Sequence, residues 1–303
     1  MIYIFTLIFS TNYYYTSYDS DNLTSAHTRI KKPKQISSEE IYESYKLHYF
    51  NESELNYLDI VGSGRFSKVY RVIMPNEAVA AAKKLVPTDE WRIKKEVKIM
   101  EQLKGQPHII NFVGLYGDEY VPVIVTNFLK SDSNCIPSYK DFQWVMKSLL
   151  QALNATHYNK IFHRDVKWQN MLVSFKDHKL YLIDWGLAEY IIKGRSYSPR
   201  TGTRSYKAPE LLLSYNYYNQ KVDIWAAGCV MANLMFGVHS FFSGSDNDDV
   251  LMKQVEFYGK LRMKRLATRY GRKKKLPYLD RQSFLEYALP HTRHLITNES
   301  LDL

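Results

Sequence analysis

Apolar residues change their spacing several times along this chain, and each change marks an element. Tyr57 to Val72 reads YLDIVGSGRFSKVYRV: an apolar strand, a glycine-containing turn, then a second strand ending Val69-Tyr70-Arg71-Val72. Pro75-Asn76 marks a turn, and Ala78 to Leu85 predicts another strand. From Trp91 to Leu103 the spacing becomes helical, with Ile93, Val97 and Met100 on one face and Gly105 as the stop. Val121 to Val125 reads as a short buried strand. Residues 57–127 are therefore expected to form a small strand-rich lobe with one helix.

After Ser131-Asp-Ser-Asn the pattern turns mainly helical. Asp141 to Tyr158 carries Phe142, Val145, Met146, Leu149, Leu150 and Leu153 as a core-facing stripe. Met171 to Ser174 and Leu180 to Ile183 are short strand candidates joined by Lys176-Asp-His-Lys. Gln220 to Phe236 is apolar nearly all round and ends at Gly237, the mark of a buried helix. Residues 128–303 form the expected second lobe. Ile30 to Ser38 reads as a linker, and Ser38 as the N-cap of a helical stretch to about Tyr49. Residues 36–56 are expected to pack on the folded body, and residues 1–35 to be a poorly ordered extension.

Composition narrows the class. With 45% hydrophobic and 24% charged residues in a chain of 303, wholesale disorder is excluded and a sizeable core can form without staples. Two cysteines, Cys135 and Cys229, cannot build a disulfide framework or a four-cysteine zinc site, so a reduced compartment is the simpler reading. Met1 to Phe9 is apolar but far shorter than the roughly 20 residues that span a bilayer. It lacks the flanks of a signal peptide, so no membrane role is expected. The net charge of +10 favours acidic partners. Most of it lies in Arg262 to Lys275, RMKRLATRYGRKKK. A solvated helix face and loop is the leading explanation of that run; a nuclear address, a docking surface for acidic substrates or a nucleic-acid patch could each explain it too. No nucleic-acid-binding motif accompanies it.

Several residues carry candidate chemistry. Gly62-Ser63-Gly64 lies between two strands, where glycines let a hairpin approach phosphates while Val69 closes over a flat base; an ordinary hairpin turn explains it as well. Lys83, in Ala81-Ala82-Lys83-Lys84-Leu85, needs an anion if buried, and Glu96 on the following helix can supply one. Lys84 competes for the role, but strand alternation puts Lys83 on the face of Ala81. The strongest signal is His163-Arg164-Asp165-Val166-Lys167-Trp168-Gln169-Asn170. There Asp165 can accept a hydroxyl proton and Asn170 can ligate Mg2+ without adding charge. Asp184-Trp185-Gly186 adds a second carboxylate suited to a hard cation bridging phosphates. Lys207-Ala208-Pro209-Glu210 and Asp223-Ile224-Trp225 follow in order.

This ordered set resembles the eukaryotic protein kinase family over about Tyr57 to Leu303. The resemblance implies an α+β bilobal kinase fold, with a strand-rich N-lobe and a mainly helical C-lobe. Asp-Trp-Gly, Leu187-Ala188-Glu189-Tyr190, Ser67 in place of the third loop glycine, Phe241-Phe242 and Asp246-Asn247-Asp248 are similar to casein kinase II catalytic (alpha) subunits. So are His294-Leu295-Ile296 and Leu301-Asp302-Leu303. The resemblance implies a serine/threonine kinase using ATP, with GTP allowed, and Mg2+. Asp165 would be the catalytic base and Lys167 would steady the γ-phosphate. Asn170 and Asp184 would hold Mg2+, and Lys83, fixed by Glu96, would meet the α/β-phosphates. Val61, Gly62, Ser63, Gly64, Val69 and Ala81 would enclose the nucleotide, with Thr126 as gatekeeper and Asn127 to Leu129 as hinge. Arg200, Arg204 and Lys207 would recognise acidic protein substrates. A beta-type regulatory subunit on the small lobe, forming a heterotetramer, and residence in nucleus or cytoplasm are implied too.

Three departures accompany the resemblance. Thr88-Asp89-Glu90-Trp91-Arg92 replaces a lysine-rich run, so acid preference is expected to narrow or to shift to Arg262–Lys275. The resembled family continues for two more helices past Leu303, so Glu210 is expected to lack its usual arginine and to be solvated, paired elsewhere or supported by a partner. Arg164 is in many kinases the receptor of a loop phosphate, for which Ser196, Tyr197, Ser198, Thr201 and Thr203 are candidates. The subfamily instead holds the loop with its N-terminal segment, a task for Ile41 to Tyr49, so activity without loop phosphorylation is expected. A catalytically inactive kinase-fold scaffold is the alternative.

Overall fold

The computed structural model describes residues 38–64, 66–132 and 138–270. The proposed 1–35 extension, Cys135, the Arg272–Lys275 part of the basic run and the motifs after 290 lie outside the described residues.

The small lobe is a six-stranded sheet. In chain order its strands are β1 (Tyr49–Phe50), β2 (Asn56–Ser63), β3 (Ser67–Ile73), β4 (Val79–Leu85), β5 (Phe112–Gly117) and β6 (Pro122–Asn127). They lie side by side as β1-β5-β6-β4-β3-β2, antiparallel throughout except where β1 joins β5 in parallel. Alternation along β4 divides its residues between two environments. Ala80 and Ala82 enter a small core with Leu55, Val72, Val123 and Val125, while Ala81 and Lys83 face the other way. The helix α2 (Glu90–Gln102) crosses that second side and buries Ile93, Val97, Ile99 and Met100. Gly105, at φ +79°, ends the descent from this helix and donates its N–H to Asn111.

The N-terminal expectation needs correction. Helix α1 spans only Ser38–Tyr42, and the chain is extended by Tyr49, where it pairs with Leu115 of β5. Ser38 thus lies inside the helix rather than capping it. Tertiary contacts win over local helix signals here. Tyr42 is fully buried and donates to Glu189, and Tyr45 donates to Glu101.

In the second lobe α3 (Tyr139–Tyr158) starts at a capping box formed by Ser138 and Asp141. It packs on α5 (Lys221–Phe236), the apolar helix of the sequence, which ends at Gly237 with φ +66°. Between them run the short strands β7 (Ile161–Phe162), β8 (Met171–Ser174), β9 (Lys179–Leu182) and β10 (Glu189–Tyr190), paired β8-β9 and β10-β7. Short α4 (Pro209–Leu212), then α6 (Asn247–Tyr258) and α7 (Lys260–Arg269) complete the described chain. One continuous apolar core runs from α2 through α3 and β7–β9 to α5 and α6.

Candidate active site

Lys83 projects from β4 toward α2. Its Nζ lies 2.8 Å from Glu96 Oε1 and 2.8 Å from Asp184 Oδ1. Burial works against the ammonium, but Glu96 first and then Asp184 outweigh it and hold the lysine above its ordinary pKa. Asp184 shows the reciprocal effect: burial opposes its charge, Lys83 favours it more, and its pKa falls below the usual carboxylate value. Gly186 makes room for this pairing, since a Cβ there would stand 3.2 Å from Glu96 Oε2. Lys84 turns to the opposite face and pairs with Glu52, so strand alternation picks out the right lysine.

Asp165 sits on the loop after β7 with 8% of its surface exposed. One carboxylate oxygen accepts from Lys167 Nζ at 2.6 Å and Asn170 Nδ2 at 3.1 Å. The other accepts from the N–H of Thr203 at 2.8 Å and its hydroxyl at 2.6 Å. Lys167 Nζ also donates to Thr203 Oγ1 at 2.9 Å. Carboxylate, lysine, amide and threonine therefore form one network. Gly202 is what lets Thr203 come this close. Its φ is +86°, and a Cβ would lie 2.6 Å from the carbonyl oxygen of Arg164.

The loop itself is clamped from below. Asp223 of α5, almost fully buried, accepts the backbone N–H of His163 and of Arg164, each at 2.8 Å, and His157 Nε2 at 2.9 Å. Burial would raise its pKa, but the hydrogen bond and charge of His157 lead a set that lowers it. Arg164 is thereby held at φ +68°, a left-handed conformation that needs such support. The ring of His163 accepts from the Asp165 N–H at Nδ1, so Nε2 carries the proton and donates to Ile183 O at 3.0 Å. His163 is thus a buried loop-bracing residue, T-stacked on Trp185.

The residues suit a hard cation. Asn170 donates through Nδ2 to the carboxylate and the carbonyl of Asp165, and its Oδ1 has no hydrogen-bond partner among the described residues. Asp184 uses Oδ1 for Lys83 and leaves Oδ2 uncommitted. The Ile183 N–H donates to Asn170 O at 3.0 Å, tying the two positions together. Two protein oxygens, with the rest supplied by water and phosphate, is the way Mg2+ is usually held.

The other sequence-predicted positions fall as follows. Ala81 pairs with Thr126 across β4 and β6, and Gly62 with Val69 across β2 and β3. Val61, Ser63 and Gly64 lie at the exposed end of that hairpin, and Gly64 closes it by donating to Ser67 O. Thr126 Oγ1 donates to Asn127 O, Asn127 is exposed at the end of β6, and Leu129 is half-buried just beyond. Arg204 donates to the carbonyl oxygens of Gly244 and Ser245. Lys207 is buried and donates to Pro199 O at 3.1 Å; burial and then Arg204 lower its pKa. Arg200 is exposed, and its backbone N–H donates to Ser198 Oγ.

Three residues escaped the sequence reading. Thr203 reads in the sequence as a phosphorylation candidate, yet its hydroxyl donates into the Asp165 network. Lys95, one position before Glu96, is only 4% exposed. Its side chain makes no hydrogen bond or ion pair among the described residues and has only the Trp91 ring 5.7 Å away. Burial lowers its pKa to about 8; the charge of Glu189 opposes the shift and that of Arg164 adds to it. Glu189 is buried, receives Tyr42 at 2.6 Å and pairs with Arg195. Helical spacing places Lys95 next to Glu96, but no pattern announces that it is unpaired.

A buried lysine–carboxylate pair, a carboxylate braced by an ammonium, and two oxygens without a hydrogen-bond partner among the described residues meet at the junction of a strand-rich and a helical lobe. The family model of the protein kinase domain matches residues 55–287. The chain belongs to the eukaryotic protein kinases, ATP-using transferases that usually also require Mg2+.

Proposed function

We propose that this protein is a serine/threonine kinase of the casein kinase II type, directed to acidic sequences and active without phosphorylation of its activation segment. The observation that carries the catalytic part is the Asp165 network. A carboxylate held by Lys167 and Thr203 is oriented to receive the proton of an incoming hydroxyl. When bound, Mg2+ would neutralise phosphate charge between Asn170 and Asp184. Lys83 would hold the α/β-phosphates while Glu96 keeps it in place, and Lys167 would offset charge on the transferred group. Phosphoryl transfer asks mainly for such positioning and electrostatic support. GTP is the second donor under this reading.

Acid preference is supported by Lys207 and Arg204, whose cationic groups meet only backbone carbonyls among the described contacts. A substrate carboxylate would give them charge-assisted partners. Independence from loop phosphorylation is supported by the state of the candidates. Tyr197 is buried and its hydroxyl donates to Tyr190 O, and Thr203 is engaged at the base. Arg164 is taken up by Leu187 O at 2.7 Å and Tyr218 at 3.3 Å. Meanwhile Tyr42, Tyr45 and Tyr190 surround Lys98 Nζ at 5.7 to 5.9 Å, joining the N-terminal segment to α2 and the activation segment. An intact Lys83–Glu96 pair and an accessible set of oxygen donors weigh against an inactive scaffold.

The test is γ-phosphate transfer from Mg-ATP to a serine peptide with downstream acidic residues, using verifiably unphosphorylated protein. A basic-context peptide and Asp184→Asn serve as controls. Transfer to the acidic peptide that disappears in the variant supports the reading. Transfer to the basic peptide alone rejects acid direction, and folded protein without transfer rejects the kinase reading.

A further inference from the structure

Helix α7 is unusual in its surface. Met263 and Ala267 are buried, whereas Leu261, Arg262, Lys264, Arg265 and Arg269 are exposed. The helix holds no carboxylate. The side chains of Arg262, Lys264 and Arg265 make no hydrogen bond or ion pair among the described residues. At 3.6 residues per turn, Arg262, Arg265 and Arg269 fall within an arc of about 60°, stepped by roughly 4.5 and 6 Å along the axis. This is a three-arginine stripe, and guanidinium groups at such intervals suit a row of carboxylates.

The stripe is coupled to the substrate-binding segment. Helix α7 packs on α6. Gln254 of α6 donates to Lys207 O at 2.9 Å, and the turn leading into α6 supplies the Gly244 and Ser245 carbonyls that hold Arg204. Helix α6 therefore frames the substrate-binding segment on one side and supports the stripe on another. The start of α6, directly after the Gly244 and Ser245 carbonyls that hold Arg204, is acidic, with Asp246, Asp248 and Asp249. A ligand of continuous negative charge running along the Arg204 zone would be repelled there.

We propose that the Arg262–Arg265–Arg269 face of α7 docks an acidic segment of protein substrates, separated along the substrate chain from the phosphorylated residue. The inference rests on the acid-directed kinase reading above. It favours protein over nucleic acid on two counts. The Asp246–Asp249 turn beside the Arg204 zone disfavours an unbroken run of negative charge and tolerates a ligand whose charge comes in patches, as a polypeptide's does. Leu261, 64% exposed beside the stripe, offers an apolar contact that a peptide side chain can use and a phosphate backbone cannot.

The experiment compares two substrates on the full chain and on R262E/R265E. One is the short acidic serine peptide. The other is the same peptide extended through Gly-Ser linkers of about 6, 12 and 18 residues to a Glu-rich segment containing one leucine. The extended substrate is expected to have a KM about tenfold lower than the short one for the native protein, an advantage lost in R262E/R265E and weakened by salt. The short peptide should change by less than about twofold, because the active site is untouched. R262K/R265K should retain most of the advantage, and an unchanged melting temperature would show that the fold is intact. Equal KM values for both substrates in the native protein, or equal losses on both in the variant, would overturn the docking site.

Fluorescence anisotropy with the labelled Glu-rich segment alone separates the two ideas. Binding that R262E/R265E abolishes supports the stripe even where no catalysis is seen, and then it is the kinase reading that fails. Tighter binding of a single-stranded oligonucleotide of equal charge, lost in the same variant, would overturn the proposal in favour of a nucleic-acid surface.

Discussion

Glu210 offers the sharpest energetic test. It lies in α4 with 6% of its surface exposed and makes no ion pair among the described residues. Burial raises its pKa from the ordinary 4.5 to about 7; its own backbone and the charge of Lys221 only soften the effect. Below pH 4.5 the carboxyl is neutral in both folded and unfolded chains, and it costs nothing. Between 4.5 and 7 the unfolded chain releases its proton first, so stability falls as pH rises, and above 7 the loss is complete. A tenfold change in proton affinity is worth about 1.4 kcal/mol, so the full loss is roughly 3 kcal/mol at pH 8 and about 1 kcal/mol at pH 5. Glu210→Gln keeps the shape and removes the charge. Urea denaturation at both pH values should show the variant more stable at pH 8 by about 1–3 kcal/mol, the lower figure allowing for a buried amide, with little gain at pH 5. The wild-type-to-variant difference is the readout, because other carboxylates titrate in both proteins. A difference that does not change with pH would refute the reasoning, since a merely packing role for Glu210 carries no proton.

Other outcomes follow from the same structure. Asp165→Asn should lower kcat by about 10²–10⁴ while leaving KM for ATP within a few-fold, as read from steady-state kinetics. Lys95→Met should stabilise the fold by roughly 1–3 kcal/mol near neutral pH, because it removes an unpaired buried ammonium. Wild-type stability relative to that variant should rise from pH 8 to 10.5, as the folded state sheds the proton before the unfolded state does. Tyr42→Phe should cost about 1–3 kcal/mol in chemical denaturation, since Glu189 loses a buried donor, and should lower the activity of unphosphorylated protein.

Much of the site was legible because short spacings carry it. Asp165, Lys167 and Asn170 sit on one loop, and loop residues so close in sequence are close in space. Lys83 was chosen over Lys84 by period-two alternation, which survives folding because the sheet buries Ala80 and Ala82 on one face. Thr203, by contrast, reaches Asp165 across thirty-eight residues through a left-handed glycine. Neither the distance nor the handedness leaves a pattern in the chain. The helix that was expected to run to Tyr49 failed for a similar reason. Its residues satisfy helix signals locally, but Tyr42 and Tyr45 find partners on α2 and beside β10, and Tyr49 finds a strand. Strand β5 went unread because Phe112–Gly117 contains two glycines, Gly114 and Gly117, and lacks clean alternation.

The family match begins at residue 55, inside the segment that closes the small lobe. A fragment cut at that boundary would lose Tyr42 and Tyr45 from around Lys98 and the hydroxyl donor from Glu189. It would also strip β1 from the sheet and bare the outer edge of β5, an open template for another chain. Such a fragment is expected to carry every residue of the candidate site yet aggregate, so homology limits would misguide anyone preparing this protein. The preparative boundary belongs ahead of Ser38.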